Sequence, residues 1–233
     1  MIVLGNTKLG RAFWSFSIPA VVTCIGATAA CLANCYARSG RSMMPSVRAH
    51  RDRTLAASRR KDFVEQMGRL IRHNFVSLLR VHVEGDFYDE AYVKKWVRIA
   101  QANRNTTFLA YTRSWRRPEL IEPLMEFGRL PNVRLWLSCD RDSGQPPRLD
   151  GVWGLAYMSL SDGDTPEYPA DLVFRDKTTT LMKYTPQGDF VCPYEQGVRG
   201  AEKITCSRCR YCTSDEVLTR RESTGRVPLT VVG

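Results

Sequence analysis

The sequence predicts an α/β protein, an open or partial (β/α) barrel followed by a small C-terminal cysteine-rich metal module. Three observations predict it. Short apolar runs of strand length alternate with amphipathic stretches at helical spacing, the pattern of a parallel sheet with right-handed crossovers. Five or six strands fit into the first ~180 of 233 residues, too few for a closed eight-fold barrel, which takes ~250. Beyond residue 184 the pattern gives way to Gly, Pro and Cys, so the chain divides into a sheet-bearing part, 1–184, and a four-cysteine module, 185–233.

Residues 12–18 read as a first strand, stopped by Pro19 and followed by a cysteine-bearing loop at 23–36. Phe63, Met67, Leu70 and Ile71 share one helical face, so residues 61–73 read as a helix with Asp62 near its positive end. Residues 78–83 form a buried strand, and Val93, Trp96, Val97 and Ala100 mark the next helix. A strand at 107–112 precedes a helix opened by Pro118 and carrying Ile121, Leu124 and Met125, which Pro123 is expected to kink or shorten. Residues 133–138, 152–158 and 172–174 are the remaining strands. In such a sheet chemistry belongs at the C-terminal strand ends. Three polar segments leave those ends, at 82–87, 111–115 and 137–140.

Composition narrows the class. Hydrophobic residues make up 43% and charged residues 25%, ordinary globular usage that excludes disordered and fibrous proteins. No run approaches the ~20 apolar residues of a membrane span, and the N-terminus, with Lys8 and Arg11, lacks the apolar core of a secretory leader. The expected compartment is a reducing cytoplasm, where clustered thiolates bind metal rather than pair.

Seven of the eight cysteines fall into two constellations. Cys24, Cys31 and Cys35 lie in one loop directly after a strand. Three thiolates there can hold three corners of a 4Fe–4S cluster and leave the fourth iron open to a non-protein ligand. The rival is zinc, completed by a remote residue such as His50 or His82. Cys192, Cys206, Cys209 and Cys212 form the second group, in which two Cys-x-x-Cys units share their middle residue and the distant fourth cysteine precedes Pro193. That spacing favours a second, fully ligated 4Fe–4S cluster, with zinc as rival. Cys139, at a strand end, reads as a buried small hydrophobe.

The segment Cys31-Leu32-Ala33-Asn34-Cys35-Tyr36-Ala37 resembles the cluster loop of radical S-adenosylmethionine (SAM) proteins, although six and three residues separate the cysteines where that family has three and two. The resemblance implies a partial barrel with SAM on the open iron. Glu84, Gly85 and Asp86 would then meet the methionine amino group, and Ser138 and Asp140 the ribose and carboxylate. Over nearly its whole length the chain also resembles the phage gene product eighty-eight family. The shared segments are Leu4-Gly5-Asn6-Thr7-Lys8-Leu9-Gly10, Phe16-Ser17-Ile18-Pro19, Cys35-Tyr36-Ala37, Val83-Glu84-Gly85-Asp86-Phe87-Tyr88, Ala110-Tyr111-Thr112-Arg113-Ser114 and the terminal cysteine group. That resemblance implies a bacterial host cell's cytoplasm and assigns no reaction.

The formal charge is +10 and unevenly spread. Residues 38–72 hold ten bases and three acids, a net of +7, whereas residues 140–176 hold eight acids and three bases, a net of −5. Arg48, Arg51, Arg53, Arg59, Arg60 and Lys61 form a candidate DNA or RNA contact, and Trp115, flanked by Arg113, Arg116 and Arg117, a candidate base-stacking residue. A solvated helix face and a tryptophan covering the core are the plainer alternatives. The functional expectation is a radical SAM-like iron–sulfur enzyme supplied by an electron donor and acting on a nucleotide or nucleic acid. A non-catalytic iron–sulfur or zinc-stapled nucleic-acid-binding protein and a redox carrier or sensor are the other readings.

Overall fold

In the computed structural model, which describes residues 1–147, 149–175, 188–195 and 204–223, strands and helices alternate as the apolar spacing requires. Seven strands form one sheet in chain order: β1 (Ile2–Leu4), β2 (Trp14–Phe16), β3 (Leu78–Val81), β4 (Thr107–Thr112), β5 (Val133–Cys139), β6 (Val152–Ser159) and β7 (Leu172–Arg175). β1 runs antiparallel to β2, and every later neighbour is parallel. The α/β class stands. The sheet is open, as the expectation of an unclosed array requires: among the described residues no pairing joins β1 to β7.

The crossovers carry α1 (Ala29–Ala33), α2 (Pro45–Arg59), α3 (Phe63–His73), α4 (Glu90–Ala102) and α5 (Pro118–Gly128). Successive parallel strands joined by crossovers of one hand put their helices on one face. That face is a single core in which Phe63, Met67 and Ile71 of α3, Trp96 and Val97 of α4, and Leu124 and Phe127 of α5 pack on Phe16, Leu79, Val81, Phe108, Leu135 and Leu137. Alternate strand residues point the other way. Leu78, Leu109, Tyr111, Trp136, Ala156 and Leu172 join Leu9, Phe13, Tyr211 and Val217 in a second core, which includes Cys192 and packs against Cys206, Cys209 and Cys212. Short helices α6 (Cys206–Cys209) and α7 (Glu216–Ser223) complete this layer. The cysteine-rich segment is thus the cover of the sheet's second face. The expected boundary at 184/185 lies outside the described residues.

The helix of residues 45–59 was hidden in the sequence because its buried positions are Thr54 and Ser58, which leave no apolar stripe. α5 runs through Pro123 to Gly128. Glycine is required where Trp136 crosses β6: a Cβ on Gly154 would sit 2.5 Å from the Trp136 ring.

Candidate metal centre

The first cysteine loop lies across the C-terminal ends of β2 to β5. At Gly26 a Cβ would be 2.0 Å from the Arg113 carbonyl oxygen, so only glycine lets the loop approach the end of β4 this closely. Arg116 donates to the Gly26 carbonyl at 2.9 Å. Helix α1 starts at Thr28, whose hydroxyl accepts from the Cys31 N–H at 3.0 Å and donates to Asp140 at 2.6 Å. The Ala30 N–H donates to Asp142 at 2.8 Å. Two acids leaving β5 therefore anchor the helix that carries Cys31.

The residues expected at the strand ends do converge. Asp86 accepts from the Thr112 hydroxyl at 2.6 Å, the Arg113 N–H at 2.8 Å and the Phe87 N–H at 2.8 Å. Gly85 has φ +85°, and a Cβ there would strike Ile18 at 2.5 Å and Thr23 at 2.8 Å. Glu84 pairs with Arg51 at 2.5 Å and accepts from Ser42 at 2.6 Å, both on Oε1. Arg113 bridges to Asp140 at 3.1 Å. Ser138 contributes its backbone carbonyl, which accepts from the Trp115 indole at 3.0 Å. Burial pushes the Cys24 thiol up to about 12, with the Asp86, Cys31 and Cys35 charges adding to it. Burial also raises Cys31, against the pull of Arg113, while Asp140, Cys35 and Asp86 act in the same direction as burial. The three thiols, Asp86, Arg113 and Asp140 therefore share one electrostatic neighbourhood.

The second constellation sits on the opposite face from α3 to α5. Cys192, Cys206, Cys209 and Cys212 line one pocket, walled by Phe13, Tyr111, Phe174 and Tyr211 and reached by the cations Lys8 and Arg80. The Trp136 indole holds the Cys212 carbonyl at 3.0 Å, and the Tyr211 hydroxyl donates to the Asp171 carbonyl at 3.0 Å. Burial lifts Cys192 to about 12 and raises Cys206, with Lys8 opposing the rise at both thiols. Burial lowers the Lys8 pKa, but the Cys192 and Glu195 charges outweigh it and leave the ammonium above its ordinary value.

The seven thiols, which fall along the chain into a group of three and a group of four, are free and of the donor type that soft metals take. Among the described residues no three His, Cys, Asp or Glu side chains close to the spacing of a single bound ion. The histidine expected to complete a zinc site at the first loop is placed elsewhere. His82 is buried in the helix-side core, its Nε2 bonded to the Tyr92 hydroxyl at 2.7 Å, with burial depressing its pKa to about 3. His50 lies on α2, near Met1. Cys139 is 1% exposed in the core, as its small-hydrophobe reading requires.

The basic patch divides. Arg48, Arg53, Arg59, Arg60 and Lys61 are exposed, with Arg60 paired to Asp62 at 2.9 Å. Arg51 is turned inward to Glu84 and is corrected from phosphate contact to ion-pair partner. Trp115 is 7% exposed and bonded through its indole, so it covers the core and presents no stacking face. Arg113 and Arg116, expected to flank a stacked base, bind Asp140 and the cysteine loop. Sequence reasoning missed Thr28, Asp142, Lys8 and Arg80. The first two follow a general cue, a threonine before a short helix and acids after a strand, whereas Lys8 and Arg80 reach the pocket only through long-range packing.

These features define a class: an α/β protein with a sequentially ordered, mostly parallel sheet and a cysteine group at each of two separate places on it. Gene product 88 is the family whose description matches residues 1–214, and the chain belongs to it. It is similar to the Gene 88 protein of Mycobacterium phage L5, 30% identical over 172 residues that cover 67% of this chain and 70% of that protein. The Gene 88 protein of Mycobacterium phage D29 is likewise 30% identical, over 175 residues, with coverage of 67% and 70%. No solved structure matches the chain. Among the described residues no helix is long and apolar enough to cross a membrane.

Proposed function

We propose that this phage protein is an iron–sulfur enzyme, with an open 4Fe–4S cluster on Cys24, Cys31 and Cys35 and an auxiliary cluster on Cys192, Cys206, Cys209 and Cys212. The observation that carries the reading is the position of the three-thiol loop. It lies at the C-terminal ends of parallel strands, where α/β enzymes do their chemistry, beside Asp86, Arg113 and Asp140. When bound, a cluster with one iron free of protein ligands supplies one-electron and Lewis-acid chemistry, with SAM as the expected co-substrate. The chain's own part is recognition and exclusion of water. Glu84 keeps Oε2 for a further donor such as an ammonium, because Arg51 and Ser42 both bind Oε1. Arg113 and Asp140 offer a cation and an acceptor for a carboxylate and a hydroxyl. The barrel-like reading of the sheet rests on its sequential strand order.

A nucleotide or nucleic acid is the proposed substrate, and an external electron donor is required. The exposed Arg48, Arg53, Arg59 and Lys61 support the substrate class. They also support the second reading, a non-catalytic nucleic-acid-binding protein stapled by iron–sulfur clusters or zinc. Anaerobic purification separates the two. The enzyme reading expects brown protein with absorbance near ~400 nm, roughly eight irons per chain and loss of about half of them in the Cys24→Ser, Cys31→Ser, Cys35→Ser variant. It also expects SAM cleavage to deoxyadenosine under strong reductant. Colourless protein carrying zinc, or an EPR signal untouched by SAM, would overturn it.

A further inference from the structure

The N-terminal segment Leu4 to Gly10 takes no part in the reading above, yet it is built into the four-cysteine pocket. Asn6 Oδ1 accepts from the Lys8 N–H at 3.0 Å and the Leu9 N–H at 2.7 Å, closing a turn. The Cys206 and Ser207 N–H groups donate to the Lys8 and Leu9 carbonyls, each at 2.9 Å. The Ser207 hydroxyl donates to the Leu9 carbonyl at 2.7 Å and accepts from the Ala12 N–H at 3.0 Å. Gly10, at φ +75°, must be glycine here, since a Cβ would stand 2.6 Å from Ser207 Oγ.

This clasp delivers Lys8 into the pocket. Its ammonium pairs with Glu195 and lies 4.5 Å from the Phe174 ring centroid and 5.6 Å from that of Tyr194. Arg80 enters from β3, 4.2 Å from the Tyr111 ring centroid. Four thiolates around a cluster bring negative charge into a wall of aromatic rings, and buried charge is costly unless compensated.

We propose that Lys8, beside Arg80, compensates charge at the four-cysteine site and tunes the reduction potential of the cluster held there. The inference rests on the iron–sulfur reading of that site. One-electron reduction adds one negative charge and makes or breaks no bond; dithionite supplies the electron in the test. Lys8 favours the added charge, and Glu195 opposes it.

The test is an EPR-monitored redox titration of the full chain carrying the Cys24→Ser, Cys31→Ser and Cys35→Ser changes, so that any signal comes from the C-terminal site. Lys8→Met is expected to shift the one-electron equilibrium about tenfold toward the oxidised form, ~59 mV more negative. Lys8→Arg keeps the charge and should stay within about threefold of the parent, less than ~30 mV. Glu195→Gln should move the equilibrium about tenfold the other way, a sign that mere loosening of the fold would not produce. If Lys8→Met holds no cluster, Lys8→Arg and Glu195→Gln decide. A parent that folds but shows no iron signal overturns the iron–sulfur reading of the four-cysteine site and this inference with it. A signal whose potential ignores both Lys8→Met and Glu195→Gln overturns the inference alone.

Discussion

Replacing Arg51 by methionine tests whether α2 is locked to the strand-end site or offers its arginines to a polyanion. The Arg51 guanidinium lies 2.5 Å from Glu84, with the two side chains 14% and 5% exposed. Methionine keeps much of the buried stem and removes the charge, leaving a buried carboxylate with Ser42 as its remaining partner. Breaking a buried pair in this way costs about 3–5 kcal/mol. At roughly 2–4 °C per kcal/mol for a chain of this size, the melting temperature should fall by about 6–20 °C. Burial already raises the Glu84 pKa, with Ser42 and Arg51 opposing it, so losing Arg51 raises it further. A carboxyl with a folded pKa above its unfolded one contributes stability that is complete below the unfolded value and is lost as pH rises through the folded value. The deficit of Arg51→Met should therefore be small near pH 4–5 and grow toward pH 8. Differential scanning fluorimetry across that range, with Arg53→Met as the exposed control, measures both effects. A melting temperature within ~1 °C of the parent at pH 7.5, or an equal loss in Arg53→Met, would refute the locked geometry.

The other predictions concern the two cores and the thiols. His82, buried and held neutral with a folded pKa of about 3, contributes stability present above ~pH 6.5 and lost as pH falls toward 3. The limit of that loss is about 5 kcal/mol, and urea midpoints should show a steeper fall between pH 6.5 and 4 for the parent than for His82→Asn, which also suits the positive φ of 60° at this position. On the proposed iron–sulfur reading, Gly154→Ala should push Trp136 off Cys212 and release iron first from the C-terminal site, which iron and sulfide analysis over time would follow; iron content equal to the parent's would contradict this. Because burial lifts Cys24 and Cys192 to about 12, a metal bound as proposed would displace their protons, so anaerobic reconstitution should release protons into weak buffer and mild acid should speed iron loss; metal uptake without proton release would contradict this.

What the sequence made legible was whatever depends on local pattern. The strand at Thr107–Thr112 and the helices around Met67 and Trp96 announce themselves by apolar spacing, and the seven clustered cysteines by their grouping. α2 escaped because Thr54 and Ser58 bury a polar face, so an arginine-rich helix reads as a charge run. β1 escaped because three residues, two of them exposed, carry no period to detect. Arg51 and Trp115 were misassigned for a related reason. Their types suit nucleic acid equally well, and only the positions of Glu84 and the Ser138 carbonyl, 33 and 23 residues away, decide what they touch. Lys8 lies furthest from local inference, since its partner Glu195 is 187 residues distant.

The two faces of the sheet are closed in different ways. Helices α3, α4 and α5 cover one side of the sheet with aliphatic and aromatic side chains and need nothing further. The second side is covered by Leu9, Phe13, Tyr211, Val217 and the four-cysteine segment, in which the described helices span four and eight residues. Helices that short are marginal by propensity and take their stability from what they pack against. A metal gripped by Cys192, Cys206, Cys209 and Cys212 would add its binding energy to folding at that place. Arg80 and Tyr111, from β3 and β4, line this pocket, and both strands lead at their C-terminal ends to Asp86 and Arg113 beside the first cysteine loop. Stripping iron from the C-terminal site should therefore loosen the strand ends that hold the N-terminal one. Removal of Cys206 and Cys209 should raise amide exchange in Leu109–Arg113 as well as in the terminal segment. Exchange changes confined to residues 204–223 would show that the two centres are mechanically independent.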